Sequence, residues 1–443
     1  MSAIRGAQLG LGVAIVEQEE VGGLCLNWGC IPSKALLRNA EVLSLVHRAG
    51  EFGISFDNLS VDYGKAVDRS RQIVKRLVGG LKSLMKRYGI DVLPGHASLP
   101  GPGRVSVDSR EELEAANVIV ATGARNKGLR PVPVDGERII STREALALKE
   151  LPGRTAIIGG GAAGVEFAYL WATYGCEVTL IELLPHLLPN EDPEISQTLE
   201  KSFQKQGIRI MTGARVEESD FVNGVGTLTV STGPDTTQVH CDKVLVAVGL
   251  EGNVEGTGLV ELGVEMRDGF IVVDEAMRTN LPNVYAVGDV TGAPLLAHTA
   301  FAQGHVAAET IAGLPTLKLV SENIPRATYC QPQVASVGLT EAQARERGLD
   351  VKVGKFPFFA SGKALGHGDR EGFVKVVAGA EYGEVLGAHM IGPEVTELLG
   401  EVSVAQALDA TVEDIGLAVH PHPTLSEALK EAALAAMGQA VHA

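Results

Sequence analysis

The sequence predicts an α/β protein: two dinucleotide-binding units of Rossmann type, followed by a smaller mixed α+β unit. Three observations predict it. A short apolar strand at 156–158 opens into the glycine loop 159–164 and then into helical sequence to about Tyr174, and strand, glycine turn and helix in that order are βαβ grammar. Two strand-like runs, 13–16 and 177–181, each end in an acid, Glu17 and Glu182, as two nucleotide-binding units of common origin would. Beyond about residue 320 the pattern changes to strands at 334–338, 373–377 and 385–391, with helices near 394–408 and 424–437.

Composition agrees. The chain has 443 residues, 45% apolar and 21% charged, long enough for two to four domains at roughly 100–200 residues each. Glycine stands out, with 53 residues or about 12% of the chain against a usual ~7%. No Gly-x-y period accompanies it, which excludes collagen. The surplus implies tight turns and close approaches of backbone to ligand. With 38 basic and 54 acidic residues the net charge is −16, which disfavours nucleic acid and anionic membranes as partners. No apolar run nears the ~18 residues of a bilayer span. The opening MSAIRGAQLGLGVAIVE has no basic head and no cleavage-site pattern. Five cysteines in so long a chain are not a disulfide scaffold. A cytoplasmic location is expected.

Along the chain, the first strand at 13–16 leads into GGLCLNWGCIPSK and helical sequence through Val46. Residues 65–88 read as a second helix with a basic face, and 118–122 as a buried strand. The loop GGGAAG then supplies Gly159, Gly161 and Gly164. The first permits a tight turn, the second lets a pyrophosphate approach the backbone, and the third lets helix and strand pack closely. Amides at the helix start face the phosphates. Glu182 follows 18 residues after Gly164 at a strand end, where an acid binds ribose hydroxyls. The next residues, LLPHLLPNED, contain no arginine for a 2′-phosphate, so NAD is favoured over NADP. A meander over roughly 209–249, a strand at 283–289 and a helix from about 297 to 312 complete this part.

Cys25 and Cys30 have four residues between them. This is not zinc spacing and no second pair stands near, so no metal is expected. A disulfide needs Cα atoms about 4.4–6.8 Å apart, whereas an extended strand would hold these roughly 17 Å apart. The segment must be helical but distorted if it closes, and Gly23, Gly29 and Pro32 allow that. On the residues alone, two independent buried thiols and a redox pair both stand.

The stretch GGLCLNWGCIPSKALL closely resembles the redox-active segment of the disulfide oxidoreductase flavoenzymes. ATGAR at 121–125, NVYAVGDVTGAPLLAHTA at 283–300 and HPHPTLSEA at 420–428 agree with it, in the family's order. The resemblance spans essentially the whole chain and is nearest to the members that oxidise dihydrolipoamide. It implies FAD and NAD as cofactors, a C-terminal dimerisation domain and a homodimer. It implies that Cys25 exchanges with dithiol substrate and that Cys30 lies against the flavin. Lys34 then sits beside the flavin with Glu166 as its partner, Glu17 on the FAD ribose and Asp289 on the ribityl chain. Thr122, Gly123 and Ala297 lie in segments that line FAD, and Ala97, Ala124, Leu296 and His298 are further cofactor-binding residues. Val216 and Gly249 join Gly159, Gly161, Gly164 and Glu182 in the cofactor-binding set. His422 resembles the base, oriented by Glu427, although T-x-x-E at 424–427 also reads as a capping box. Cys176, Cys241 and Cys330 match no motif and read as buried spectators, and His420 reads as structural.

The implied activity is NAD-dependent oxidation of dihydrolipoamide to lipoamide. The implied partners are lipoyl domains of an acyltransferase or carrier protein, in a 2-oxo acid dehydrogenase or glycine cleavage assembly. Expected domains are 1–140 for FAD, 141–265 for NAD, 266–320 returning to the first, and 321–443 for dimerisation. One departure stands at the start, which resembles the helix after a first GxGxxG loop rather than the strand and loop themselves. That leaves two expectations: a full enzyme whose start lies upstream, or an FAD-poor, inactive homologue serving as a dimer or binding partner.

Overall fold

The computed structural model describes residues 1–442, which divide into two units. The first comprises residues 1–35, 67–127 and 249–321. In it Ala14–Glu17 pairs in parallel with Asp91–Pro94, so that Glu17 ends its strand opposite Pro94. Val21, Met85 and Ile90 form a small core behind this pair, with Ile4, Val13 and Ile15 packed against it. A second parallel pair joins Val118–Val120 to Val284–Ala286. An antiparallel sheet of Ala97–Gly101, Arg104–Val107 and Glu111–Glu114 and a short pair, Leu250–Gly252 with Ala124–Asn126, complete the strands around them. The helix Ser2–Gln8 lies on the helix Ala297–Ile311, where Arg5 donates to Glu309 Oε1 from Nε at 2.9 Å and Nη2 at 2.6 Å.

The second unit comprises residues 36–66, 128–248 and 322–443. Its parallel sheet runs in the order Arg209–Met211, Glu177–Ile181, Arg154–Ile158, Lys243–Val246, Ile139–Ile140. The three central strands are buried at every position beyond their first residue, as strands covered on both faces are. A three-stranded meander over residues 214–241 extends the same core. The C-terminal part is an antiparallel sheet ordered Arg326–Thr328, Gln333–Gly338, Val385–Gly392, Phe373–Gly379, Val351–Pro357. The helices Val395–Ala407 and Glu427–Ala436 pack on it through Val402, Ala428 and Ala432. At Gly354 the contact is backbone to backbone: a Cβ there would lie 1.9 Å from Ala432 O and 2.3 Å from Ala436 N.

Three stretches group otherwise than expected: residues 36–66 join the second unit, and two more follow strand pairing. Ile139–Ile140 is a strand of the parallel sheet, so residues 128–140 belong with the NAD-type unit and not with the first domain. Leu250–Gly252 pairs with Ala124–Asn126, which returns residues 249–265 to the first unit. In both cases strand pairing decides, and no composition shift marks it.

Sequence periodicity also missed a buried charge. Lys375 lies on a central strand with its side chain 4% exposed, and Nζ reaches Asp192 Oδ2 at 3.0 Å, Glu194 Oε1 at 2.8 Å and Glu341 Oε2 at 3.2 Å. Asp192 also caps the helix Pro193–Lys205 through the Glu194 amide.

Candidate active site

Cys25 lies in the helix Gly23–Trp28, and Cys30 opens the helix Cys30–His47. The break falls at Gly29, where a Cβ would press to 3.1 Å from both Cys25 Cα and Leu24 O. Glycine therefore lets two helical pieces fold back on each other, bringing the Cα atoms to 4.7 Å, and the disulfide is closed. This settles the two readings left open by the spacing. Asn27, buried at 3%, donates to Val21 O and Gly23 O and so holds the turn before the pair. Arg71 stacks over the Trp28 ring at 3.9 Å and donates to Asn27 O. Lys34 lies one turn into the second helix from Cys30. The remaining thiols, Cys176, Cys241 and Cys330, are buried. Burial pushes Cys176 up and Cys241 up to about 11, which leaves both unreactive.

The glycine loop has the geometry its pattern demands. Gly159 turns with φ +111°, and a Cβ there would meet Ala247 O at 2.3 Å. A Cβ at Gly161 would meet nothing within 4 Å, so on that side the backbone is open to a ligand. At Gly164 a Cβ would fall 1.8 Å from Gly159 O. The helix Ala162–Thr173 starts here with no side-chain cap, which leaves its first amides for an anion. Glu182, 8% exposed, accepts from the Gly160 amide and, at 2.7 Å, from the Leu184 amide. Its carboxylate is thereby fixed at the strand end beside the loop, with lone pairs left for hydroxyls. Gly164→Ala is expected to destabilise the protein by ~1–3 kcal/mol through overpacking and to weaken NADH binding. Thermal melting and fluorescence titration of NADH check this. Val216 is buried in the adjoining meander.

In the first unit, the residues expected around FAD fit such a group. Glu17 ends its strand and accepts the Glu19 amide at 2.9 Å. The turn after Val118–Val120 is pinned by Thr122 Oγ1 donating to Asn253 O at 2.6 Å and by Asn253 returning a bond to Thr122 O. Thr122 and Gly123 face outward, whereas Ala124 is buried. Asp289 is held above the usual carboxylate range by burial alone. The helix Ala297–Ile311 begins after Leu296 with no side-chain cap, and Thr299 in its first turn is 3% exposed, with Oγ1 bonded to nothing among the described residues. A desolvated acid, an uncapped helix start and an orphaned buried hydroxyl suit a large polar ligand. Sequence reasoning missed Thr299, whose only signal was its place in AHTA. Ala97 opens the strand Ala97–Gly101, and Gly249 turns with φ +113°.

His422 and Glu427 form the remaining group. His422 Nδ1 lies 2.9 Å from Glu427 Oε1, and the ring is 81% exposed. Glu427 Oε2 accepts the Thr424 amide at 2.8 Å. The carboxyl of Glu427 stays below its ordinary value: burial opposes this, and the Thr424 amide and His422 outweigh it. The capping-box reading is half right. Thr424 Oγ1 donates to Pro421 O, and the N-cap of the 427–436 helix is Ser426, so the acid serves the loop and the histidine together. Glu166 is buried, and its Oε1 accepts the Tyr329 amide at 3.0 Å. Among the described residues no cluster suits a metal ion and no helix is long and apolar enough to cross a membrane.

Residues 1–304 match the sequence profile of pyridine nucleotide-disulphide oxidoreductases, and residues 324–433 match the dimerisation domain of the same group. The chain belongs to the pyridine nucleotide-disulphide oxidoreductase family. The dimerisation match supports a homodimer. Proteins named dihydrolipoyl dehydrogenase are similar over their length: that of Zymomonas mobilis is 44% identical, covering 100% of this chain and 96% of its own. That of Mycobacterium tuberculosis is 47% identical, covering 97% and 94%. That of Bacillus subtilis is 42% identical, covering 100% and 96%. Among solved structures, LpdA from Mycobacterium tuberculosis superposes with a TM-score of 0.91 at 25% identity, covering 98% and 96%. The HOCl-induced flavoprotein disulfide reductase RclA from Escherichia coli superposes with 0.84 at 26%, with the same coverage. Membership of this family accounts for the closed disulfide, the glycine loop and the histidine–glutamate pair within one chain.

Proposed function

We propose that this chain oxidises dihydrolipoamide to lipoamide with NAD, using FAD and the Cys25–Cys30 disulfide. The observation that carries the reading is that disulfide, closed across a helix break in a chain 42–47% identical over its length to proteins named dihydrolipoyl dehydrogenase. FAD and NAD, when bound, supply the electron and hydride chemistry. Glu17, Ala97, Thr122, Gly123, Ala124, Asp289, Leu296, Ala297 and His298 would hold FAD, with Lys34 and Glu166 beside the flavin. Gly159, Gly161, Gly164, Glu182, Val216 and Gly249 would hold NAD.

The chain's own residues handle protons and sulfur. With Nδ1–H directed at Glu427, the His422 ring presents its Nε2 lone pair outward. That nitrogen takes the proton of one substrate thiol, and the thiolate attacks Cys25 Sγ. The Cys25–Cys30 bond breaks and Cys30 leaves as a thiolate. The second substrate thiol then gives its proton to the departing Cys25 sulfur and displaces it, closing lipoamide and leaving Cys25 as a thiol, Cys30 as a thiolate and one proton on His422. As the family resemblance implies, His422 of one chain would serve the disulfide of a second copy, and its exposed ring supports that reading. The partners in this reading are lipoyl domains of 2-oxo acid dehydrogenase or glycine cleavage assemblies, and the location is cytoplasmic.

Purified protein is expected to be yellow and to form NADH from dihydrolipoamide. His422→Gln is expected to slow that reaction by about 10²–10⁴-fold while NADH–ferricyanide turnover holds. A colourless protein that takes up no FAD supports the non-catalytic partner instead, and a His422→Gln variant at the parent rate rejects the assigned base.

A further inference from the structure

His420 lies two residues before the proposed base, yet its side chain is 6% exposed where that of His422 is 81% exposed. Its Nε2 lies 2.8 Å from Glu401 Oε1, and its Nδ1 lies 3.0 Å from Ala418 O. Both ring nitrogens therefore face an oxygen, one on a side chain and one on the backbone, and the ring is held from two sides. Ala418 O also accepts from Lys430 Nζ at 3.2 Å. The groups facing His420 are therefore Glu401 from the 395–407 helix, and Lys430 and Glu427 from the 427–436 helix. The segment bearing His422 is fastened at one end by Glu427 through Thr424 and His422, and at the other by this second anchor. Without the second anchor, residues 418–421 would be left to the bonds from Lys430 to Ala418 O and from Thr424 to Pro421 O, with Val419 between them 95% exposed.

We propose that the Glu401–His420 contact is a positioning device for the reaction, fixing the aim of His422 from the side opposite Glu427. The proposal rests on His422 being the base. A base in a loop held from one side samples several orientations, and only a fraction of them meet the substrate thiol. Held from both sides, Nε2 keeps one direction. His420 touches no reacting atom in this scheme; it acts through the backbone it anchors.

The test compares Glu401→Ala, Glu401→Gln and His422→Gln with the parent holoenzyme, in two assays. One is NADH formation from dihydrolipoamide. The other is NADH–ferricyanide turnover, in which a one-electron acceptor needs neither disulfide nor base. Glu401→Ala is expected to lower kcat for dihydrolipoamide about tenfold or more with ferricyanide turnover within about twofold. Glu401→Gln, whose amide can donate to a neutral ring, is expected to recover most of the loss. Equal losses in both assays would show a merely structural role and overturn the proposal, as would parent-like kcat in Glu401→Ala beside a slow His422→Gln. A fast His422→Gln overturns the base assignment and this inference together, so the two failures are told apart.

Discussion

Cys30→Ser is expected to reduce dihydrolipoamide-dependent NADH formation by about 10³-fold or more, because a hydroxyl offers no disulfide to attack and no thiolate to release. The fold is expected to survive. The loop closed by the disulfide spans only a sequence separation of 5, and in the chain-entropy picture so short a loop contributes about 2 kcal/mol. The turn keeps its other supports, since Ser33 Oγ bonds Cys30 O at 3.1 Å and Asn27 holds the preceding backbone. NADH–ferricyanide turnover should therefore persist in the variant, which separates lost exchange chemistry from lost cofactor. A Cys30→Ser protein forming NADH at the parent rate would remove the disulfide from the mechanism altogether.

Lys375→Met is expected to cost about 3–5 kcal/mol of stability, the range for breaking one side of a buried ion pair. Methionine fills the space, but Asp192, 2% exposed, is left charged and unanswered. The same acid caps the Pro193–Lys205 helix, so the helix start is disturbed as well. The pH dependence has a definite sign. Burial opposes the charge on Lys375, yet Glu194 and Asp192 hold its pKa above the ordinary value. A raised base stabilises fully below the unfolded lysine pKa of ~10.4, and the contribution is lost only as pH rises through the folded value. For Glu194 and Glu341 burial also opposes ionisation, and lysine and arginine partners outweigh it, so both pKa values fall. Their contribution is complete above the unfolded value of ~4.3 and disappears as pH falls below it. Denaturant midpoints should thus be level from about pH 5 to 10, with an acid limb that is shallower in Lys375→Met. A variant within about 1 kcal/mol of the parent at neutral pH would mean that the cluster is structurally idle.

Much of this architecture could be read from residue order. The strand Glu177–Ile181 and the helix after the glycine loop fall where apolar runs and Gly159–Gly164 place them. Local patterns suffice there, because the βαβ unit is built from neighbours in sequence. The His422–Glu427 contact was expected from the family resemblance of HPHPTLSEA, and the two groups do meet, five residues apart. Pairing between distant strands was not legible. Ile139–Ile140 carries no label saying which sheet it joins, and the domain boundary moved accordingly. Lys375 was hidden by convention: a lysine in an alternating strand reads as solvent-facing, but Phe373–Gly379 is central and buried on both faces. Acids brought in from other elements, Asp192 and Glu194 about 180 residues earlier and Glu341, show why a charge sits there. Thr299 was invisible because an orphaned hydroxyl is defined by what fails to reach it.

The bare contact at Gly354 has a further consequence. Most helices rest on a sheet through side chains, and their spacing drifts as those side chains change volume. Here the helix that carries Glu427 touches the strand with nothing between the two backbones. At that point its height above the sheet is set by the two backbones themselves and not by a side chain of the strand. Sequences of this kind can therefore vary their C-terminal packing widely over time while the carboxylate behind His422 keeps its place. The freedom to drift is confined to every position except the one with no side chain.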